Sequence, residues 1–270
     1  MRIATFNILH GRDPGGDVHL DAHPDVHLQR LASCVRDLDA DVLALQEVDL
    51  DQPRSGMADL TAVAAEAMGA VAHRFVAAIS GTPGATWMAA TGAEQPGTAA
   101  YGIALLSRHP VSSWQVLRLP RIPVRFPMYL PGAGKNAGKI ALVDEEPRAA
   151  VVACVSSPLG PLTIAATHLS FVPGWNRVQL RHLLRDLRGF PGPRLLLGDL
   201  NMAPRAVSRW TGMHALGAGG TFPAEEPERQ LDHVLTDDPG LTSRCSAAPR
   251  MPLSDHRPLV VDVVRAGPAR

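Results

Sequence analysis

The chain has 270 residues, of which 46% are hydrophobic and 19% charged, and its 24 glycines and 24 prolines stop short of a low-complexity composition. That balance excludes a largely disordered chain, a collagen-like fibre and a coiled coil, and it leaves enough length for one large domain with a deep core. Lysine plus arginine equal aspartate plus glutamate at 26 each, so there is no global basic field to hold a nucleic acid.

Strands and helices alternate along the chain. Arg2 to Asn7 has the length and apolar run of a strand. His27 to Leu38 places Leu28, Leu31, Val35 and Leu38 on one helical face, and Asp41 to Gln46 follows as a buried strand. Asp59 to Met68 has the pattern of a helix with Asp59 as its N-terminal cap. Ala77 to Ala100 is small, glycine-rich and weakly patterned, which predicts loop. Strands are predicted at Gly102 to Leu106 and Trp114 to Leu119, followed by an extended proline- and glycine-rich excursion over Pro120 to Gly138. Ala149 to Val155 and Leu162 to Thr167 form two strands about a turn. Trp175 to Leu187 is a helix, with Leu180, Leu183, Leu184 and Leu187 at helical spacing. Arg194 to Leu197 is an apolar strand running into Gly198-Asp199-Leu200-Asn201, and the last strands are Leu231 to Leu235 and Pro258 to Val264. No internal repeat or linker divides the chain, so one domain is expected over residues 1–265, with a disordered tail at 266–270. Mixed sheets covered by helices fit this order best.

The three cysteines, Cys34, Cys154 and Cys245, are scattered and form no CxxC, which suits a reducing compartment rather than a disulfide framework or a zinc site. No apolar run approaches the ~20 residues of a bilayer span, and no apolar leader follows Met1. A soluble, monomeric cytoplasmic protein is the expectation.

Polar residues recur where strands stop. Asn7 closes the first strand, Glu47 follows DVLALQ, and His168 follows LTIAAT. Asp199 and Asn201 end RLLLGDLN, Asp232 opens DHVL, and Asp255-His256 precede PLVVDV. Loops at strand ends are where α/β scaffolds carry reactive groups. An extended backbone would point Asp199 and Asn201 the same way, whereas Asp255 and His256 need a turn to share a site. Carboxylates and amides are hard oxygen donors suited to Mg²⁺, with Mn²⁺ as the alternative, and the histidines suit an anionic substrate or proton transfer.

TFNILHG, LQEVD, THLS, GDLN, LDHVL and SDHRP, in this order, resemble the endonuclease/exonuclease/phosphatase superfamily of divalent-metal phosphoesterases. The resemblance runs from Ile3 to Val263. It implies a four-layered α/β sandwich, two packed mixed sheets flanked by helices, and metal-assisted attack of water on a phosphodiester. It implies further that Glu47 is the principal metal ligand, with Asn7 beside the metal and Asp255 near it. Asp199 would orient or deprotonate the water, Asn201 would donate to the phosphate, and Asp232 would orient a cationic His256. His168 would be a second histidine on the phosphate side. Tyr101 and Arg148 are candidates for substrate contact.

Three further features bear on the substrate. The alternating Asp17, His19, Asp21, His23, Asp25 and His27 have the look of a metal-binding tract, but with Pro24 among them a solvated loop is the expectation. His233 should point away from Asp232, as strand neighbours do. The stretch 108–139 carries Arg108, Arg118, Arg121, Arg125, Lys135 and Lys139 and no acidic residue, so it could serve nucleic acid as a local positive lip or be solvated loop. A phosphomonoesterase acting on a small metabolite, a lipid-headgroup phosphodiesterase and a silent scaffold on the same fold are the alternatives.

Overall fold

The computed structural model describes residues 1–13, 24–122, 125–130 and 139–266. Seven strands form one sheet: β1 (Arg2–Asn7), β2 (Val42–Leu50), β3 (Ala72–Gly81), β4 (Trp87–Ala89), β5 (Ala100–Ser107), β14 (Leu241–Ala247) and β15 (Leu259–Arg265), in the order β14-β15-β1-β2-β5-β3-β4. Six form a second: β6 (Val111–Arg118), β9 (Ala149–Ser157), β10 (Gly160–His168), β11 (Arg194–Asp199), β12 (His214–Ala215) and β13 (Asp232–Thr236), in the order β12-β13-β11-β10-β9-β6. The strands β7 (Phe126–Leu130) and β8 (Lys139–Val143) pair with each other. Both sheets are mixed, with parallel pairs at β1/β2 and β10/β11 and antiparallel pairs elsewhere.

Period-two alternation sets the layers. In β1, Ile3 enters the cluster between the sheets, while Ala4 and Phe6 face outward onto the helices α1 (Pro24–Leu38) and α2 (Leu60–Met68). In β11, Leu195 and Leu197 face inward, and Leu196 faces the helices α3 (Trp175–Leu187) and α4 (Pro204–Thr211). Helix, sheet, sheet and helix therefore stack as four layers, the α/β sandwich expected from sequence.

Several expected boundaries move. The first helix opens at Pro24, not His27, because proline is tolerated in a first helical turn, where no intrahelical donor is lost. The second strand continues past Gln46 to Leu50, and Asp59 caps α2 as expected, accepting from the Ala62 N–H at 2.9 Å. The segment expected as loop over 77–100 contains the end of β3 and all of β4, and β7 and β8 lie in or beside the proline-rich excursion. β4 is only three residues long and β7 contains Pro127, so pairing with β3 and β8, not composition, makes them strands. Residues 14–23 of the Asp/His tract, Lys135, and residues 267–270 of the expected tail lie outside the described residues.

Candidate active site

The same alternation that fills the inter-sheet core carries polar side chains to its end. Leu162, Ile164 and Ala166 of β10 face that core, and His168 is next in phase. Leu195 and Leu197 of β11 are followed in phase by Asp199, and Val234 of β13 is preceded by Asp232. Register places His168 opposite Asp199 and Asp199 opposite Asp232, a polar row across three adjacent strands. From the other sheet Ile3 and Asn7 share a phase. The row and Asn7 meet: the Asn7 amide donates to Asp199 Oδ2 at 3.2 Å and to Glu47 Oε1 at 3.0 Å.

Glu47 is one residue out of phase, directly after Gln46. A β-bulge in the β2/β5 pairing between Gln46 and Val48, with Glu47 at φ 57°, turns its carboxylate into the site. Asn201 and Ser254 also stand at positive φ, 50° and 69°. Non-glycine residues in that region carry strain that persists where the surroundings demand it, as functional loops do. Asn201 thus reaches the site by a turn rather than the extended backbone expected: its N–H donates to Asp199 Oδ1 at 2.9 Å, and its amide donates to the Leu169 carbonyl at 3.0 Å. Ser254 donates to the Asn7 carbonyl at 2.6 Å and accepts from the His256 N–H at 3.1 Å, which is the turn the Asp255-His256 pair required. At Gly198, φ is +141° and a Cβ would fall 1.9 Å from the Thr167 carbonyl oxygen, so only glycine permits this approach of β11 to β10.

Buried Asp232 holds His256 by Oδ2···Nδ1 at 2.9 Å. The His256 Nε2 lies 3.8 Å, and the His168 Nε2 3.5 Å, from Asp199 Oδ2. Burial opposes a charged His256, but the hydrogen bond and charge of Asp232, helped by Asp199 and Asp255, outweigh it and raise its pKa to about 9. Burial and the charge of Asp232 raise Asp199 to about 7. His168 is driven the other way, well below its ordinary value, by burial, Arg148 and His256. Its Nδ1 lies 3.1 Å from Arg148 Nη1. A guanidinium only donates, so that Nδ1 is the acceptor and His168 is a neutral imidazole with its hydrogen on Nε2, facing Asp199.

These groups line a cleft of about 380 Å³ together with Tyr101, whose ring lies under the Arg54 guanidinium at 5.3 Å. Arg148 is buried and stands 3.6 Å from Glu146. Asp232 sits behind His256, and half-buried Asp255 is outside the lining, acting on Glu47 and His256 through its charge. Sequence reasoning missed His10, Arg54, Glu146 and Phe171 in the wall. Only His10, inside TFNILHG, lay in a motif that pointed there. His233 does face away, its Nε2 2.8 Å from the Met202 carbonyl. The described arginines of the basic stretch have partners: Arg108 meets Asp39 at 2.7 Å, Arg125 meets Asp144 at 3.1 Å, and Arg121 meets Asp144 at 3.7 Å.

The donors suit a hard divalent cation. Glu47 offers carboxylate oxygens at the cleft, and burial, eased by Asn7 and Arg148, raises its pKa, a cost that a bound cation offsets. Among the described residues, Asp199, Asp232 and His256 also bring one potential ligand atom each within 4.8 Å of one another. No described helix is long and apolar enough to cross a membrane.

A family model described as the endonuclease/exonuclease/phosphatase family matches residues 4–256. No curated protein matches the chain. Among solved structures, it is similar to an endonuclease/exonuclease/phosphatase from Beutenbergia cavernae DSM 12333, with TM-score 0.69 and 24% identity over 99% of this chain and 72% of that one. It is similar also to a mannosyl-6-phosphatase from Bacteroides thetaiotaomicron VPI-5482, with TM-score 0.60 and 17% identity over 98% and 99% of the two chains. The human nocturnin catalytic domain, solved with a sulfate anion, gives TM-score 0.60 and 16% identity over 98% and 94%.

Proposed function

The chain belongs to the endonuclease/exonuclease/phosphatase family, and from that premise we propose that it is a divalent-metal-dependent phosphoester hydrolase in which water attacks phosphorus. One observation carries this: Glu47, His168, Asp199, Asn201 and His256, far apart in the chain, line a single cleft. Glu47, with Asn7 and Asp255 near it, would hold Mg²⁺ or Mn²⁺. The ion would supply positive charge against the charge developing on the phosphate.

The chain's own groups divide the remaining work. Asp199 Oδ2 points toward both histidines and, with its pKa near 7, takes a proton from the attacking water. His256, kept protonated by Asp232, donates from Nε2 to a phosphate oxygen and offsets its charge. His168 donates from its Nε2 as a neutral group, held in that tautomer by Arg148, and Asn201 supplies the amide hydrogen that Leu169 leaves free. Tyr101 and Arg54 form the wall that receives the rest of the substrate.

A phosphodiester is the first substrate class, as the family resemblance implies. A small phosphomonoester is the second, favoured by the cleft volume, which is that of a small-molecule site. Hydrolysis of bis-p-nitrophenyl phosphate and p-nitrophenyl phosphate, with Mg²⁺, Mn²⁺ or chelator, tests both. Metal-dependent turnover of either that Glu47→Gln abolishes is the expected result. No turnover of any phosphoester with either metal would leave a silent scaffold.

A further inference from the structure

Beside the cleft lies a second cavity of about 330 Å³, and the two share His10 and Arg54 in their walls. Arg12 and Ser55 add polar groups to it, and Leu28 and Leu60 an apolar floor. The dividing wall is an unusual piece of backbone: Leu9, His10 and Gly11 stand in succession at φ 44°, 46° and 83°. Two adjacent non-glycine residues in the left-handed region are costly, so contacts must impose them. Asn7 Oδ1 accepts from the Leu9 N–H at 3.1 Å, and the Arg12 carbonyl accepts from the Ser254 N–H at 2.8 Å. The strained turn is thereby tied at one end to Asn7 and at the other to the turn that carries His256.

This backbone sets the His10 imidazole at the junction of the cavities, with Nδ1 buried and without a hydrogen-bond partner in the protein. Burial, then Arg54 and Arg12, hold its pKa at about 3, so it faces the cavity as a neutral donor and acceptor. Arg54 is committed to Asp49 through two bonds, 2.8 Å from Nε and 2.7 Å from Nη2, which orients the guanidinium and leaves hydrogens on its Nη atoms for another acceptor. Arg12 is exposed and has no carboxylate partner among the described residues, while the neighbouring Asp13 meets Arg30 at 3.3 Å. Among the described residues lining the cavity, Arg12 and Arg54 bring two guanidiniums and no residue brings a carboxylate, Asp49 reaching Arg54 from outside the lining.

We infer that this cavity receives the non-reacting end of the substrate and that this end carries a second anion, a phosphate or a carboxylate, on a short carbon frame. The inference rests on the phosphoester reading of the first cleft. A side cavity of this size takes a terminal group, not a continuing polymer strand. Arg12 and Arg54 meet the anion, the neutral His10 ring donates to one of its oxygens, and the leucine floor packs the frame.

Calorimetry on the full chain carrying Glu47→Gln, with Mg²⁺, tests this without turnover, using glucose 6-phosphate, 6-phosphogluconate and fructose 1,6-bisphosphate. At least one of the two-anion ligands should bind about tenfold tighter than glucose 6-phosphate, and the preferred one identifies carboxylate or phosphate. Adding Arg12→Ala should erase that advantage and leave glucose 6-phosphate binding unchanged, whereas Arg12→Lys should keep most of it. Equal affinity for all three ligands, or Arg12→Ala weakening all three alike, overturns the inference. No two-anion preference with Arg12 intact, while the parent chain hydrolyses bis-p-nitrophenyl phosphate with metal, would sink this inference alone. A preference that persists although the parent chain, with Glu47 intact, hydrolyses no phosphoester with either metal would sink the catalytic reading alone.

Discussion

On the second-sheet side of the cleft, Asp232 grips His256, Arg148 grips His168, and Asp199 accepts from half-buried Asn201 and from Asn7, the others all having little solvent exposure. On the first-sheet side, Glu47 leaves a bulge half-exposed with one oxygen bonded to Asn7, and His10 stands on a strained turn with a bare ring nitrogen. The two walls are prepared for different things. The second sheet presets protons because three regularly paired strands put His168, Asp199 and Asp232 in one row, which holds Asn7 and His256 from segments of the first sheet. The first sheet interrupts its regularity and leaves valences for groups the chain does not contain.

If the walls differ in this way, losses should differ in kind. Glu47→Gln should lower kcat/KM by about 10³ and weaken Mn²⁺ binding while the melting temperature stays near that of the parent. Unchanged Mn²⁺ binding by calorimetry would move the cation away from the first-sheet wall. His256→Ala should cost about 10²–10³ in kcat/KM with metal binding intact. Gly198→Ala tests the regular wall itself: the clash with the Thr167 carbonyl should lower stability by about 3 kcal/mol in denaturant unfolding. Parent-like stability would show that the β10/β11 approach is not tight.

The preset protons predict a bell-shaped pH profile. Asp199 works deprotonated and His256 protonated, so kcat/KM rises through about pH 7 and falls through about pH 9, roughly tenfold per unit on each limb. Stability, unlike activity, falls with rising pH through both shifts. The folded-state pKa of His256 lies above its ordinary 6.5, so its contribution is complete below 6.5 and is lost as pH rises through about 9. The contribution of Asp199, raised from 3.8, is lost as pH rises through about 7. A melting temperature that climbs from pH 7 to 9 would contradict the His256 shift, whereas the Asp199 window lies below pH 7. The smallest effect is expected from Arg148→Met, about tenfold in kcat/KM, because His168 then loses only the partner that fixes its tautomer. A loss as large as that of His256→Ala would make Arg148 a direct phosphate ligand.

Strands β1, β2, β5, β6, β9, β10, β11, β13 and β15, helices α1 to α3, and the polar residues at strand ends were legible in the sequence. They follow from local periodicity, which a linear text displays. Sequence patterning did not reveal β3, β4, β7, β8, β12 or β14, which become strands through pairing, nor the bulge that swings Glu47 out of phase. The chain by itself determined which residues could do chemistry. Only the tertiary structure decided that His10 and Arg54 stand between two cavities, and that Asp144 and Asp39 meet the arginines of the basic stretch. Both outcomes depend on which distant segments come within a few ångströms of each other. Charge pairing and enclosure are properties of those distances, and no spacing along the chain encodes them.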